Sequence, residues 1–251
     1  MVLSGLSDAQ AALAEAIGAA SRIVAFTGAG VSTECGVPDF RSKDSPWRRL
    51  PPIPYDLFVA DELMREEAWR RKFALDDIYA RASPGRGHYA LANLAALNEE
   101  NSIVTQNIDN LHQTSGAPPD RVIELHGNGT YARCLACGLR YELAPIRLEF
   151  EASGRAPLCG CGGYVKSATI SFGQPMPQEA LARACEAAVA CDLFLAIGSS
   201  LVVYPAAALP TLAREHDARL IIVNGEETPL DYEAELVLRG DIGDILQPFA
   251  S

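Results

Sequence analysis

Four of the seven cysteines stand in two close pairs, Cys134 with Cys137 and Cys159 with Cys161. In an intracellular chain such pairs indicate metal ligands before disulfides. Four thiolates around Zn²⁺ form a closed tetrahedral site, which is structural because no position stays open for water. The second pair is CxC, one residue shorter than the usual knuckle, but glycines flank it and make the tighter loop feasible. We predict a structural zinc site, with four free thiols as the alternative.

His126 is the candidate general base, because it follows the apolar run VIEL at the end of a predicted strand. A general base needs a side chain with a pKa near neutrality, fixed at a ligand-binding edge. A histidine between a strand and a glycine can also simply satisfy backbone groups. Both interpretations stay open on this motif alone.

Gly28-Ala29-Gly30 follows an apolar run that ends at Phe26. Small residues there let backbone amides approach a pyrophosphate at a helix N-terminus. The usual dinucleotide fingerprint then breaks down, since Thr33 takes the third glycine position and Pro-Asp-Phe-Arg follows. The acid that grips a ribose about 20 residues later in a dehydrogenase has no convincing candidate. Hydride transfer is therefore disfavoured.

The stretch TQNIDNLH places Gln106, Asn107 and Asp109 at the end of another predicted strand. A pair of amides beside an acid offers donors and an acceptor together, and can bind a carboxamide. The alternative is an Asn/Asp turn that only ends the strand.

The elements that must position these residues alternate between strands and helices. Short, branched, nearly continuous apolar runs such as RIVAFTG, SIVTQNID, DLFLAIGSS and RLIIVN are separated by alanine-rich helical segments. This alternation predicts an α/β fold with a doubly wound, parallel, Rossmann-like sheet covered on both faces. Ligands of such sheets bind at the carboxyl ends of the strands, which is where the polar motifs fall.

Two stretches do not fit the alternation. Residues 43–85 contain a charged helical run, and residues 128–167 contain the four cysteines. We interpret both as insertions that form one smaller domain, a helical module plus a zinc knuckle. The nucleotide-binding domain then consists of residues 1–42, 86–127 and 168–251.

Composition limits the partners and the location. A formal charge of −11 over 251 residues argues against broad binding to nucleic acid or an anionic membrane. The acidity suits a basic partner, such as a protein bearing lysines, or merely keeps the protein soluble. Residues 193–213 are uncharged, but glycine, serines and prolines interrupt them, which favours a buried strand and a helix over a membrane span. We find no secretion signal and expect a cytoplasmic monomer.

Taken in order, these motifs resemble those of sirtuins, the NAD-dependent protein lysine deacylases. The motifs are GAGVSTECGVPDFRS, TQNIDNLH, ELHGN, the cysteine pairs, SFGQPMP, GSSLVVYP and IIVNGEETPLD. The resemblance runs from about Ser21 to Asp244, nearly the whole chain. It also explains the broken fingerprint, because in sirtuins the segment after the glycines is a loop that folds over the nicotinamide ribose.

The resemblance implies a role for each matching position. His126 is the catalytic histidine, and Asn107 is assigned to catalysis as well. NAD is implied to contact Gly28, Ala29, Gly30, Thr33, Asp39, Phe40, Arg41, Gln106, Asn107, Ile108, Asp109, Gly198, Ser199, Ser200, Asn224, Asp241 and Ile242. The acyl-lysine substrate is implied to contact Ile170, Phe172, Gly173, Val202 and Val203. Cys134, Cys137, Cys159 and Cys161 are implied to hold structural Zn²⁺.

The implied reaction consumes NAD. The acyl oxygen attacks the ribose carbon as nicotinamide leaves, and His126 then accepts a proton from the ribose hydroxyl system. The products are nicotinamide, O-acyl-ADP-ribose and free lysine. Two alternatives remain, an ADP-ribosyltransferase or NAD hydrolase and a non-catalytic NAD-sensing protein, and the presence of His126 and Asn107 favours deacylation over both.

The resemblance also bears on the acyl group. Sirtuins that prefer succinyl-lysine resemble one another in a Tyr-x-x-Arg pair in the helical insertion, where the two side chains meet the acyl carboxylate. Here Lys72 falls at the tyrosine position and Leu75 at the arginine position. An unpaired carboxylate in an apolar tunnel is costly, so we predict a preference for neutral acyl groups. Two departures from the family pattern, Ser171 and Gln174, fall in the segment that the resemblance assigns to the substrate groove, so they bear on the peptide preference more than on the reaction.

Overall fold

The computed structural model describes residues 1–39, 45 and 51–251. Its strands, in chain order, are β1 Val2–Leu3, β2 Ile23–Thr27, β3 Ser102–Thr105, β4 Val122–Glu124, β5 Gly127–Cys134, β6 Arg140–Glu142, β7 Val165–Thr169, β8 Leu193–Ile197, β9 Arg219–Val223 and β10 Leu236–Leu238. Its α-helices are α1 Leu6–Ala19, α2 Tyr55–Ala60, α3 Glu62–Tyr79, α4 Arg86–Leu97, α5 Leu111–Thr114, α6 Leu143–Ser153, α7 Gln178–Ala190, α8 Leu209–Glu215 and α9 Ile242–Leu246.

Seven of the described strands form one parallel sheet in the order β1-β10-β9-β8-β2-β3-β4. From β2 the chain moves outward through β3 and β4, and after the insertion it returns to the other side of β2 through β8, β9 and β10. The order therefore reverses between β2 and β8. In an open parallel sheet this reversal leaves a crevice at the carboxyl ends of the two strands, where ligands bind.

Both faces of the sheet are covered, which is why the central strands β2 and β8 are buried at every position and are apolar except for Thr27. Val24 and Phe26 of β2 pack with α7 and α8 in one core, while Ile23 and Ala25 pack with α1, α4 and α9 in the other. Side chains alternate between the two faces of a strand, so a strand with a core on each side has no solvent-facing position. The predicted doubly wound fold is confirmed.

The smaller part of the fold is an antiparallel sheet in the order β6-β5-β7. It shares a separate core with α6 and with α3, which contributes Trp69 and Phe73. The indole Nε1 of Trp69 also donates to the carbonyl of Val165, at 3.2 Å. The helical and the cysteine-bearing insertions, far apart in sequence, thus pack on each other as predicted.

The amino terminus differs from the prediction, which did not include β1. Val2 and Leu3 pair in parallel with Val237 and Leu238 at the edge of the large sheet. Two residues give no periodicity that could be recognised in the sequence. None of the helices in the described ranges combines the length and the apolar character that crossing a bilayer requires.

Candidate active site

A cavity of about 720 Å³ opens at the carboxyl ends of β2, β3, β8 and β9. It brings together polar motifs that lie far apart in sequence. The predicted cofactor residues that line it are Gly28, Ala29, Gly30, Thr33, Asp39, Gln106, Asn107, Ile108, Asp109, Gly198, Ser199, Ser200, Asn224, Asp241 and Ile242. Phe40 and Arg41 lie outside the described residues.

The glycines are required because two loops touch at the floor of this cavity. The amide of Gly28 donates to the carbonyl of Ile197 at 3.0 Å, and that of Gly30 donates to the carbonyl of Gly198 at 2.9 Å. A Cβ on Gly28 would lie 2.6 Å from the carbonyl oxygen of Gly198. Gly198 itself has a φ of 62°, which disfavours other residues. A 3₁₀ helix, Ala29–Cys35, follows directly, so the predicted loop begins with helical turns.

The side chain of Asn107 has a defined orientation. Its Nδ2 donates to the carbonyl of Gly28 at 3.1 Å and to the hydroxyl of Ser32 at 3.2 Å. A carbonyl can only accept, so the amide cannot be turned over, and both of its hydrogens are used. The acceptor Oδ1 is the group that Asn107 can present to a ligand. The neighbouring residue, Gln106, donates from Nε2 to Ser199 Oγ at 2.8 Å. This hydrogen bond links the end of β3 to the loop after β8.

Ser32 is a site residue that the sequence reasoning missed. It is fully buried, and its hydroxyl donates to Asp109 Oδ2 at 2.7 Å while accepting from Asn107. It therefore joins the glycine-loop motif to TQNIDNLH. The sequence signal that could have identified Ser32 is its position two residues after Gly30, in the same helical turn. Glu34 and Tyr79 also line the cavity and were not predicted.

His126 lines the same cavity at the end of β4. Its Nδ1 lies 3.0 Å from the carbonyl oxygen of Gln106, so Nδ1 carries the proton and Nε2 carries the free lone pair. Burial lowers the pKa of His126 below its ordinary value, against the opposing effect of this hydrogen bond. The ring is therefore neutral at neutral pH and is available as a base.

The segment after β7 forms the wall opposite the nucleotide loops. The amide of Ile170 donates to the carbonyl of His126 at 2.8 Å, and the carbonyl of Phe172 accepts from the amide of Tyr55 at 2.9 Å. Ile170, Phe172, Gly173 and Val203 line the cavity. Val202, which is 40% exposed, is outside that lining, and its assignment to the substrate stays a prediction.

The four cysteines of the two pairs come together beside β5. Their Sγ atoms all lie within 4.8 Å of one another. Cys134 and Cys161 are 3.5 Å apart and Cys137 and Cys159 are 3.6 Å apart, Sγ to Sγ. Tetrahedral Zn²⁺ with Zn–S bonds of about 2.3 Å needs sulfurs about 3.8 Å apart. The donor set and its spacing fit zinc.

Comparison with known proteins gives the family. Residues 28–205 match the model of the Sir2 family. The chain belongs to the Sir2 family. This sirtuin is 54% identical over 250 residues to the NAD-dependent protein deacetylase of Rhodopseudomonas palustris, and the match covers 99% of each chain.

Solved Sir2 structures share the fold of this sirtuin. One, with a p53 peptide and NAD⁺, is 34% identical with a TM-score of 0.85, and the match covers 94% of this chain and 95% of that chain. Another, with a deacetylated p53 peptide and 3′-O-acetyl ADP ribose, is 32% identical with a TM-score of 0.87 and covers 95% and 96%. The predicted resemblance to sirtuins is confirmed.

His112, buried behind the site, leads to a prediction about stability. Burial, and secondly the nearby ring of His88, lower the pKa of His112 to about 3. In the unfolded chain its pKa returns to about 6.5, so below that pH the unfolded state binds a proton that the folded state excludes. The contribution of His112 to stability is complete above about pH 6.5. It is lost as the pH falls toward 3, with a slope of up to about 1.4 kcal/mol per pH unit.

Urea unfolding between pH 7.5 and 4.5 measures this effect. We expect His112→Gln to reduce the dependence of the unfolding free energy on pH. The control is His216→Gln, which replaces an exposed histidine instead of the buried one. Equal slopes for wild type and His112→Gln would contradict the assignment.

Proposed function

We propose that this chain is an NAD-dependent protein lysine deacylase that transfers a neutral acyl group, acetyl in particular, from lysine to ADP-ribose. The products are nicotinamide, O-acyl-ADP-ribose and free lysine. The name of the R. palustris relative and the peptide and NAD in the similar Sir2 structures support this activity. Within the chain, the observation that carries the proposal is the neutral His126, which shares one cavity with Asn107 and Asp109.

The proposed roles follow from the contacts of each side chain. NAD, when bound, supplies an electrophilic ribose carbon and nicotinamide as the leaving group. Asn107 Oδ1 accepts a hydrogen bond from the nicotinamide or its ribose, because both amide hydrogens of Asn107 are already used. His126 Nε2 removes the ribose proton, and the Gln106 carbonyl holds the ring in the required tautomer. The Gly28–Gly30 loop and the Gly198–Ser200 turn lie beside the phosphates, where glycine lets the backbone approach closely. The amides of Gly28 and Gly30 themselves hold the two loops together.

We also propose that Cys134, Cys137, Cys159 and Cys161 bind structural zinc. Their spacing supports this assignment, and four sulfurs leave no open coordination position for catalysis. The division into a nucleotide-binding domain (1–42, 86–127, 168–251) and a smaller domain (43–85, 128–167) is part of the same proposal, as are the monomeric state and the cytoplasmic location.

The test is nicotinamide release from NAD, with and without an acetyl-lysine peptide. Deacylation requires release that depends on the peptide and matches the free lysine formed. Equal release without peptide would point to NAD hydrolysis, and transfer of label from NAD to the protein would point to an ADP-ribosyltransferase. No release under either condition would contradict the proposed enzyme.

We expect acetyl-lysine to be removed at least about tenfold faster than succinyl-lysine, judged by kcat/KM. Among the described residues lining the cavity there is no lysine or arginine, whereas Glu34, Asp109 and Glu226 are acidic. Lys72 forms an ion pair with Asp76 instead of lining the cavity. A succinyl carboxylate would therefore be desolvated in the cavity without an ion-pair partner among the described lining residues.

One peptide carrying each acyl group in turn decides this prediction. A butyryl group, similar in length to succinyl but neutral, is the matched control for size. Slow turnover of both longer groups would indicate a steric limit instead of a charge effect. Desuccinylation equal to deacetylation would show that the helical insertion had been misinterpreted.

A further inference from the structure

Two buried histidines, His88 on α4 and His112 on α5, lie behind the site without lining the cavity. They are 0% and 1% exposed, and their ring centroids are 5.0 Å apart. The proposed reaction uses neither ring. A buried histidine without a carboxylate partner needs another physical reason for its place, because its polar nitrogens cost free energy when they are taken out of water.

The hydrogen bonds of His88 determine its tautomer. Its Nδ1 accepts from the amide of Gly85 at 3.2 Å, and an amide N–H can only donate. In the neutral ring the hydrogen therefore resides on Nε2, which lies 3.3 Å from the hydroxyl oxygen of Ser32. Burial lowers the pKa of His88, although the negative charges of Asp109 and Glu34 oppose this shift. His88 is thus a neutral donor directed at Ser32.

Ser32 connects His88 to the site through its hydroxyl group. Its single hydrogen is donated to Asp109, since a carboxylate can only accept. Its oxygen then receives two donors, His88 Nε2–H and Asn107 Nδ2–H. All three bonds agree only when the His88 hydrogen is on Nε2. The opposite tautomer would set two lone pairs against each other at Ser32 and two N–H groups against each other at Gly85.

We infer that His88 is a positioning residue, which donates to Ser32 while the Ser32 hydroxyl donates to Asp109, and which thereby supports the Gly28 carbonyl in holding the acceptor Oδ1 of Asn107 toward the cavity. The inference rests on the proposed function for its kinetic consequence, but the tautomer can be tested without any activity. A long-range ¹H–¹⁵N correlation spectrum of the histidine rings should show His88 protonated only at Nε2 at pH 7. A ring protonated at Nδ1, or at both nitrogens, overturns the inference even if the enzyme is active.

Two substitutions separate this role from a structural one. His88→Gln can still donate to Ser32 but cannot match the Gly85 contact, whereas His88→Asn keeps an acceptor near Gly85 and loses the donor to Ser32. We expect His88→Asn to lower kcat/KM for NAD about tenfold with the peptide KM unchanged, and His88→Gln to recover most of that loss. If His88 only caps α4, the order of the two variants reverses and follows their melting temperatures, which overturns the inference.

A double-mutant cycle completes the test. With Ser32→Ala in place, His88→Asn should cause little further loss, because the group through which His88 acts is gone. Losses that multiply independently overturn the inference. His216→Asn, at an exposed position, controls for histidine replacement in general. An inactive wild type would contradict the proposed function, and the spectrum would still decide the tautomer.

Discussion

Replacing His126 with alanine should lower deacylation by at least about a hundredfold, the usual weight of a positioned base. The ring is the part of this residue that the chemistry needs. Alanine loses the ring hydrogen bond to the Gln106 carbonyl, but it keeps the backbone carbonyl that accepts from Ile170 and joins the segment after β7. We therefore expect the fold, the zinc content and NAD binding to be largely unchanged.

Turnover of an acetyl-lysine peptide at saturating NAD measures the effect, and NAD affinity is determined separately. His216→Ala is the matched control, since it removes an exposed histidine. Near-normal turnover of His126→Ala would remove the role assigned to this ring.

The pH profile of the wild type gives a second readout. Because burial lowers the pKa of His126, the base stays unprotonated until the pH falls below the ordinary value of about 6.5. The acidic limb of kcat/KM should thus have its midpoint below that pH, with activity rising as the pH rises. A midpoint above 6.5 would show that another group limits the rate.

Removing the metal should unfold the antiparallel module without acting directly on the chemistry. The core shared by α3, α6 and the small sheet is short of apolar residues, and it counts Cys134 and Cys159 among its buried members. A core of that size needs a further source of stability, which a tetrathiolate zinc site supplies. We expect one zinc per chain in freshly purified, reduced protein.

The test variant replaces Cys159 and Cys161 with serine, and the control replaces Cys185, which lies outside the cluster. Hydrogen exchange should show lost protection in β5, β6 and β7, while β2 and β8 of the large sheet remain protected. Protein that contains no zinc, or a double variant as stable and active as the wild type, would defeat the assignment.

The arrangement of the nucleotide loops was predictable from sequence, for a physical reason. A strand buried on both faces must be almost entirely apolar, so Ile23–Thr27, in which only Thr27 is polar, and Leu193–Ile197 stand out in the chain. Parallel strands all end at one edge of the sheet, so the polar residues that follow them must converge. Gly28, Asn107 and Gly198 could be brought together without coordinates because alternation and adjacency determine where they lie.

Local sequence also predicted the proposed metal ligands and the proposed base. Close cysteine pairs and a histidine at a strand end can be recognised without the tertiary structure, because their chemistry depends on the side chain and on the local spacing. Family resemblance then supplied the roles, including those of Phe40 and Arg41, which remain predictions.

Only the tertiary structure decided how the polar groups are joined. That Ser32 links Asn107 to Asp109, that His88 supports it from behind, and that Trp69 of α3 packs on the cysteine module all depend on segments distant in sequence. The pairing of β1 with β10 belongs to the same class. Such contacts depend on how the elements pack on one another, because a hydrogen bond requires a donor–acceptor distance of about 3 Å and a suitable angle. Sequence periodicity gives the face on which a residue lies, but the partner that the residue meets there is fixed only when the layers are assembled.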